Sequence, residues 1–260
     1  IDQAPTESMN LPNVEIIQVF PDRPATAAAI ANSSRSLKDM VQLYKAVSGS
    51  PIDLMFFPAV YSWFPIPKKI PAVVTLHDAI AEHFPEMIFP DWKGRLFWTL
   101  KVKLALWQCK RVMTVSNAAK AEIKQYLGVN GDLIDVISEA PNELFCQSDN
   151  AAAGQELRQR IGIPPEGRLI VYVGGLAPHK NLHGFLEGFA RARAKQRIDD
   201  VHVVLVGDYD GAGFHSNSGD LQQFANDERI KGLVHFTGFI SDEDLLILYN
   251  DAMAAAMASL

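Results

Sequence analysis

The sequence predicts an α/β fold with parallel sheets, and two observations support this prediction. Short apolar runs, typical of buried strands, alternate with segments of helical spacing, as expected of strand–helix–strand units. This alternation occurs twice, and a stretch of small and polar residues at 147–153 separates the two series. With 260 residues, 48% of them hydrophobic, the chain is long enough to bury two cores. We therefore expect two domains, at 1–147 and 148–260.

The first series provides five candidate strands and two candidate helices. We predict the strands at 14–20, 54–59, 72–76, 111–116 and 135–137, and the helices at 34–47 and 117–127. Ser116 and Asn117 follow one of these strands, and we interpret both mainly as residues that begin a helix.

The second series begins after the polar stretch and ends early. We predict strands at 169–173, 201–206 and 234–236, and helices at 182–195 and 242–249. The acidic, glycine-rich segment at 207–213 reads as a surface loop. Only residues 250–260 follow Tyr249, too few to complete a doubly wound sheet. We therefore expect the second domain to be incomplete and the sequence to be a piece of something longer.

Composition argues against several classes of function. A net charge of −6 argues against nucleic acid as a general partner. Cys109 and Cys146 lack metal-type spacing, so we predict no metal site, and their small number suggests a reducing compartment. No apolar run approaches the roughly 20 residues that a helix needs to span a bilayer.

The most informative motif lies where the first strand of the second series ends. The apolar run 169–173 breaks at Gly174-Gly175, and Lys180 and Asn181 precede an amphipathic helix. Glycines let a ligand approach the backbone, the first N–H groups of a helix point at an anion, and lysine adds a full charge. The pattern predicts a phosphate site, such as one for a nucleotide diphosphate. Taken alone, it also fits an exposed turn with a solvated lysine.

Four segments, in order along the chain, resemble one known family. They are VVTLHDAIAEHFPE (73–86), RVMTVSNAAKAEI (111–123), YVGGLAPHKNLHGFLEGFARA (172–192) and HFTGFISDEDLLILYNDA (235–252). The ordered set resembles the retaining glycosyltransferases of family 4, over residues 14–252. The resemblance implies the GT-B fold, with two Rossmann-like domains facing a cleft and the C-terminal one incomplete here.

The resemblance also implies a donor site. The residues that it assigns to donor binding are Gly174, Gly175, His179, Lys180, Asn181, Gly238, Phe239 and Ile240. Lys180 becomes a catalytic residue, because a fixed cation stabilises the leaving diphosphate as its charge grows. A turn capped by Ser241, with Asp244 placed for a capping box, explains the last three residues equally well. No cofactor is expected, since the nucleotide-diphosphate sugar is the donor substrate.

Three features depart from the family pattern. Many members carry arginine where this chain has Gly175, five residues before Lys180. The glutamate pair that usually holds the donor sugar and ribose would fall beyond Leu260, and the N-terminal glycine-rich loop is missing. We therefore expect a phosphate grip that is weaker or differently built, with His179 as a second donor when it is charged.

His77 and Asp78 end a predicted strand in the first domain. The resemblance places His77 on the acceptor side, near the anomeric centre of the sugar, as a catalytic residue that positions substrate and contacts the transition state. A histidine that hydrogen-bonds to cap a strand or helix is an equal alternative. Asp78 fits the acceptor side, and it fits the N-cap of the next segment as well.

Residues 91–111 combine six basic residues and one acidic residue with Trp92, Phe97, Trp98 and Trp107. This mixture suits peripheral contact with an anionic membrane surface, where lipid-linked acceptors are found. The alternative is a core helix whose aromatic rings pack inward while its basic residues stay solvated.

Taken together, these features predict a retaining glycosyltransferase that moves a hexose from a nucleotide-diphosphate sugar to a glycan or a lipid-linked acceptor. The HKN sequence at 179–181 resembles mannosyl- or rhamnosyl-type members, which makes mannose the first candidate. A GT-B nucleotide-sugar epimerase and a non-catalytic nucleotide-sugar-binding protein are the alternatives. We expect a cytoplasmic protein, either free or peripheral at the inner membrane face.

Overall fold

The computed structural model describes residues 17, 19, 36–89, 91–148, 151–196, 198–207 and 218–260. The chain divides between Glu139 and Ala140 into two units, and each unit has its own parallel sheet. The predicted strand at 14–20 falls almost entirely outside the described residues, and Ile17 and Val19 have no strand assignment.

The first unit contains a four-stranded sheet whose strands follow chain order, β1-β2-β3-β4, all parallel. Its elements are α1 (Leu37–Ser48), β1 (Met55–Phe57), β2 (Ala72–Thr75), α2 (Ile80–His83), α3 (Pro85–Ile88), α4 (Trp92–Gln108), β3 (Arg111–Thr114), α5 (Asn117–Leu127) and β4 (Ile134–Val136).

Local sequence explains where the helices of the first unit begin. The Ser116 side chain accepts a hydrogen bond from the backbone N–H of Ala119, which confirms its predicted role as a helix-starting residue. Ser36 caps α1 in the same way, through the N–H of Asp39. The core between sheet and helices is apolar, with Phe57 and Ile123 among its fully buried side chains.

The second unit contains a parallel sheet in the order β7-β6-β5-β8. Its elements are α6 (Ala151–Ile161), β5 (Arg168–Val173), α7 (Leu182–Gln196), β6 (Val201–Val206), α8 (Ser218–Ala225), β7 (Val234–Gly238), α9 (Asp242–Asp251) and β8 (Ala254–Ala255). Strand β6 is buried along its whole length, as expected for an inner strand of a sheet covered by helices.

Two features of the second unit were not predicted. Helix α6 begins at Ala151, inside the stretch 147–153 near which we placed a domain boundary or linker, because its alanines are strong helix formers and Leu157 packs into the core. The residues after Tyr249 add a strand, β8, to the sheet. That strand consists of two alanines, a residue type depleted in strands, so composition does not reveal it. It forms because the N–H of Ala256 donates to the carbonyl of Val171 in the neighbouring strand.

A buried ion pair ties α6 to the end of α9. The Arg158 guanidinium is 10% exposed and donates to both carboxylate oxygens of Asp251, at 2.6 and 3.0 Å. It also donates to the Gly167 carbonyl at 2.5 Å, just before β5 begins. Because Asp251 stands three residues before Ala254, this contact fixes the approach of the chain to β8.

Candidate functional site

The strand order of the second unit places a candidate site at one end of β5. From β5 the chain proceeds through β6 to β7, and it then returns to the other side of β5 as β8. Open α/β sheets bind ligands beyond the carboxyl ends of the strands at such a reversal. The Gly174-Gly175 pair directly follows the carboxyl end of β5. Sheet topology and the sequence motif therefore indicate the same place.

The loop after β5 is built around Tyr172. Its hydroxyl donates to the Gly175 carbonyl at 2.7 Å, and burial raises the pKa of this hydroxyl, so it stays a donor. Gly174 has φ of +147°, a conformation that favours glycine, and an added Cβ would lie 2.9 Å from the Tyr172 hydroxyl. At Gly175 an added Cβ would meet nothing within 4 Å. The space where many family members place arginine is thus open.

A third glycine, Gly207, completes this edge of the sheet. It follows β6 with φ of +155°, and a Cβ there would collide with the Gly174 carbonyl oxygen. Its N–H donates to the Gly238 carbonyl at 3.1 Å, and the Gly174 N–H donates to the Val206 carbonyl at 2.9 Å. The ends of β5, β6 and β7 are therefore linked through glycine backbone. Gly207 therefore closes strand β6, and the rest of the predicted surface loop, 208–213, lies outside the described residues.

A short 3₁₀ turn, Pro178–Lys180, connects the glycine loop to α7. Asn181 follows in the left-handed conformation, with φ of 53° and ψ of 33°, which asparagine tolerates better than most residues. Its side chain fills the space beside Gly184, where an added Cβ would lie 2.5 Å from Asn181 Oδ1. Gly184 thus lets Asn181 lie against the first turn of α7. No acidic residue stands in that first turn.

The two basic side chains of the motif have different environments. Lys180 is half-buried and forms no ion pair with a carboxylate in the described part of the chain. His179 is buried, and its carbonyl accepts a hydrogen bond from the N–H of Leu260 at 3.0 Å. Lys180 is therefore the better candidate for a charge offered to an anion, because the His179 side chain is buried in the protein.

The turn after β7 contains the other predicted donor residues. The Gly238 carbonyl already accepts hydrogen bonds from Gly207 N–H and from the Thr237 hydroxyl. The Phe239 side chain is 86% exposed, whereas Ile240 packs against the core. Ser241 caps α9 as predicted, by accepting from the N–H of Asp244 at 3.2 Å.

The second half of the predicted capping box does not form. The carboxylate of Asp244 instead pairs with Arg160 on α6 at 2.5 Å. This pairing holds the start of α9 against α6. The turn that begins at Gly238 is therefore anchored at the end where it enters α9.

His77 and Asp78 lie in the first unit, in the connection from β2 to α2. His77 Nε2 is 3.0 Å from the Pro58 carbonyl oxygen, beyond the end of β1, and Nδ1 is 3.4 Å from Glu139 Oε1. Asp78 Oδ1 accepts from the Ile80 N–H at 3.0 Å, so its side chain supports the start of α2, although the N-cap position itself is occupied by Ala79. Both side chains remain exposed at the carboxyl edge of the first sheet.

Sequence reasoning missed Glu82, which lies near Asp78. Burial raises the pKa of this carboxyl, although a hydrogen bond from Trp98 Nε1 at 2.7 Å partly offsets the shift. Burial, together with Asp78 and Glu82, also raises the pKa of Tyr61 to about 12. Glu82 lies in the motif 73–86, four residues after Asp78, and only the burial seen in the structure singles it out.

Among the described residues, no group of three or more His, Cys, Asp or Glu side chains is arranged to hold a metal ion. None of the helices in that part of the chain combines the length and the apolar character needed to cross a bilayer.

Two units that each carry a parallel sheet, with a glycine-rich strand–helix loop in the second, define an α/β protein of the GT-B class. Family models agree with this assignment. A model described as Glycosyltransferase Family 4 matches residues 4–140, more than half of the chain, and one described as Glycosyl transferases group 1 matches residues 154–260. The chain belongs to glycosyltransferase family 4.

Curated relatives are distant in sequence. The O-antigen chain mannosyltransferase RfbU of Salmonella typhimurium is 25% identical over 75% of this chain and 47% of its own length. The alpha-D-kanosaminyltransferase of Streptomyces kanamyceticus is 23% identical over 67% of this chain and 43% of its own length. The chain spans about half the length of such relatives.

Solved structures share the fold. HepE of Anabaena, in complex with UDP-glucose, gives a TM-score of 0.62 at 19% identity, covering 85% of this chain and 56% of that one. WaaG, a glycosyltransferase involved in lipopolysaccharide biosynthesis, gives 0.61 at 16% identity, covering 92% and 60%. At these identities the likeness concerns the GT-B fold alone.

Proposed function

We propose that this protein transfers a hexose, with retention of configuration, from a nucleotide-diphosphate sugar to a glycan or a lipid-linked sugar acceptor. The observation that supports it best is the loop from β5 to α7, where glycine backbone, a helix start and a lysine with no carboxylate partner among the described residues converge at the reversal of the sheet. Mannose is the first candidate for the sugar, because several relatives carry mannosyltransferase names.

In this proposal the diphosphate of the donor lies over Gly174 and Gly175, facing the first turn of α7. The first N–H groups of a helix have no acceptor within the helix and carry partial positive charge, so they suit an anion. Lys180 supplies the full charge that stabilises the diphosphate as the bond to the sugar breaks. These groups are fixed before the reaction, so they need no reorganisation when charge develops.

We assign the nucleotide base to the turn at 238–240. Because two donors already engage the Gly238 carbonyl, the backbone of Phe239 and Ile240 is the better source of hydrogen bonds to a base. The exposed Phe239 ring offers a flat apolar face for stacking.

We assign the acceptor to the edge of the first sheet around His77. Its ring is oriented by the Pro58 carbonyl, which faces Nε2, and by the Glu139 carboxylate, which faces Nδ1. His77 in this role contacts the reacting sugar and positions it, while Asp78 supports the turn.

Calorimetric titration of the 260-residue chain with GDP-mannose, UDP-glucose and the free nucleotide diphosphates tests the donor assignment. Lys180→Ala should weaken binding of the preferred nucleotide by about tenfold or more, since a charge-assisted hydrogen bond contributes about 1.5–3 kcal/mol. Lys195→Ala is the matched control, because Lys195 lies exposed in the last turn of the same helix. Equal affinities for the two variants would remove Lys180 from the donor site.

Incubation of donor with and without acceptor then separates the activities. Transfer requires product that contains both the sugar and the acceptor, formed only when both are present. An isomeric nucleotide sugar formed without acceptor would instead identify an epimerase. Binding without either product would identify a non-catalytic nucleotide-sugar-binding protein.

A further inference from the structure

An open cavity lies between helix α9 and the connecting segment 141–147, both in the second unit. It encloses about 620 Å³, which falls within the range of about 300–1,000 Å³ that small-molecule sites occupy. We name it the α9 cavity. The side chains that define it are Asn142, Phe145, Gln147, Leu245, Leu246 and Tyr249.

The Asn250 side chain joins the two walls of the α9 cavity. Its Oδ1 accepts a hydrogen bond from the Ser148 N–H at 2.9 Å, and its Nδ2 donates to the Cys146 carbonyl at 3.0 Å. The same Nδ2 donates to the Leu246 carbonyl at 2.9 Å, one turn earlier in α9. These bonds connect segments more than one hundred residues apart in sequence. The shape of the cavity is therefore set by the fold of the unit.

Two aromatic rings form a corner of the α9 cavity. The centroids of the Phe145 and Tyr249 rings are 6.1 Å apart, and the ring planes meet at 79°, an edge-to-face arrangement. Because neither ring lies flat on the other, apolar ring surface remains for a ligand. Tyr249 is 40% exposed, and the half-buried Leu245 and Leu246 extend the apolar surface along α9.

Amide groups supply the polar part of the α9 cavity. Asn142 Oδ1 accepts a hydrogen bond from the Leu144 N–H at 3.0 Å, and its Nδ2 has no partner among the described residues. The Gln147 side chain is exposed and makes no hydrogen bond within the described part of the chain. An amide group can donate and accept hydrogen bonds at the same time. The cavity therefore combines ring faces with uncommitted donors and acceptors.

No charged residue occurs among the described residues that line the α9 cavity. A phosphorylated or carboxylated ligand would find no cation in this lining, and a cationic ligand would find no carboxylate. Burying a charge without a partner is costly, so both kinds of ligand are disfavoured. The lining instead suits a neutral ligand that has both apolar faces and many hydroxyl groups.

We propose that the α9 cavity binds a neutral oligosaccharide, at a site separate from the donor and acceptor sites. One face of a hexose ring presents C–H bonds that pack on an aromatic ring, and the hydroxyls at its edge pair with amides. Tyr249 lies in the last turn of α9, about 10 Å along the helix from its start, whereas the turn assigned to the nucleotide base precedes that start.

This inference rests on the proposed function, because transfer to a glycan provides a neutral oligosaccharide both as acceptor and as product. A glycan bound in the α9 cavity stays on the protein between transfers. Its effective concentration at the acceptor site is then higher than that of a glycan free in solution.

Titration of the 260-residue chain with neutral trisaccharides tests the proposal without any measurement of sugar transfer. The probes are α-linked mannotriose, maltotriose and cellotriose, and ¹⁵N-resolved NMR spectra follow the protein. We expect saturable shifts of the side-chain amide signals of Asn142 and Gln147 and of the backbone amide of Tyr249. Trigalacturonate, a trimer with a carboxylate on each ring, should bind at least about threefold more weakly than the best neutral probe, because the cavity offers its charges no partner.

Paired substitutions locate the site. Tyr249→Ser with Gln147→Ala removes one ring and one amide, and it should weaken binding of the best neutral trisaccharide by about tenfold. Tyr44→Ser with Gln125→Ala is the matched control, because Tyr44 is 42% exposed on α1 and Gln125 is exposed on α5, both in the first unit. Circular dichroism and thermal midpoints verify that each variant folds. Gln147→Ala alone, at an exposed position outside the helices, keeps the test decisive if the pair does not fold, with a loss of about threefold expected.

The proposal is overturned if no neutral trisaccharide shifts these signals, if the control pair loses as much affinity as the α9-cavity pair, or if trigalacturonate binds as tightly as the best neutral probe. Shifts confined to His77 and its neighbours would indicate the acceptor site alone and would also overturn it.

A parallel titration with nucleotide diphosphates separates this inference from the proposed function. Trisaccharide binding in the α9 cavity without nucleotide binding would reject the proposed function and leave the oligosaccharide site in place. Nucleotide binding without trisaccharide binding in the α9 cavity would reject the oligosaccharide site alone.

Discussion

Gly207 and Gly174 are packed so closely that the carbonyl oxygen of Gly174 occupies the position a Gly207 side chain would take. Gly207 directly follows strand β6, and Gly174 directly follows the neighbouring strand β5. The Gly174 N–H donates a hydrogen bond to the carbonyl of Val206. The conformation of the glycine loop therefore depends on a residue more than thirty positions later in the chain. This contact links the sheet register to the geometry of the proposed diphosphate site.

The first prediction concerns this contact. Gly207→Ala should displace the loop after β5 and destabilise the protein by about 1–3 kcal/mol, because the new Cβ meets backbone and the φ of +155° is strained for alanine. Chemical denaturation measures the change in the free energy of unfolding.

Gly188→Ala is the control for that experiment. Gly188 lies exposed within α7, and an added Cβ there meets nothing within 4 Å. Alanine should therefore stabilise the protein by about 0.5–1 kcal/mol. If Gly207→Ala behaved like this control, the close contact between the two strand ends would be incorrect.

The second prediction concerns the buried pair of Arg158 and Asp251. Arg158→Met leaves the Asp251 carboxylate, which is 26% exposed, without its partner and should cost about 1.5–3 kcal/mol of stability. Hydrogen exchange at the amides of Met253 and Ala256 should accelerate, because these amides bond β8 to β5.

Two further variants separate the buried charge from a general effect of arginine removal. Arg158→Met combined with Asp251→Leu should recover part of the lost stability, since no unpaired charge remains. Arg168→Met, which breaks an exposed pair with Asp200, should change stability little. An Arg168→Met variant as damaged as Arg158→Met would contradict this account of burial.

The third prediction is a pH dependence of stability from His202 and His235. Their rings approach to 2.9 Å between Nδ1 and Nε2 on β6 and β7. Burial lowers the pKa of both; Arg158 lowers that of His202 further while Asp200 opposes it, and His202 lowers that of His235. The unfolded chain therefore binds more protons than the native protein below about pH 6.5.

It follows that stability from this pair is present above that pH and decreases as the pH falls through the range below it. Thermal midpoints measured from pH 8 to pH 5.5 should show this decrease. His235→Gln should flatten the dependence of the thermal midpoint on pH. The control His183→Gln, at an exposed position of α7, should leave that dependence unchanged. A profile that His235→Gln does not alter would show that this pair is not its source.

Nearly continuous apolar runs and capped helical patterns could be predicted from sequence, and short alanine-rich segments could not. Strand β6 and helix α5 have the predicted bounds, because five apolar residues around His202 and a helical pattern that follows Ser116 are local signals. Strand β8 consists of two alanines and depends on backbone pairing with β5. Helix α6 was hidden because an alanine-rich start resembles a linker.

In the candidate site, too, local sequence signals could be predicted and contacts between distant segments could not. The motif could be recognised because Gly174, Gly175, Lys180 and the helix start lie in one short stretch of the sequence. The contact of Gly207 with Gly174 and the two partners of His77 depend on strand register and on chain segments far apart in sequence. Periodicity and turn chemistry carry no information about such contacts.

The most direct test of the central claim follows individual backbone amides while a nucleotide diphosphate is added to the chain. In ¹⁵N-resolved NMR spectra we predict saturable shifts at Gly174, Gly175 and residues 182–184, and the same titration of Lys180→Ala should require about tenfold more ligand. If these amides stay unmoved while others respond, or if the variant titrates like the unsubstituted protein, the diphosphate does not bind at the loop between β5 and α7.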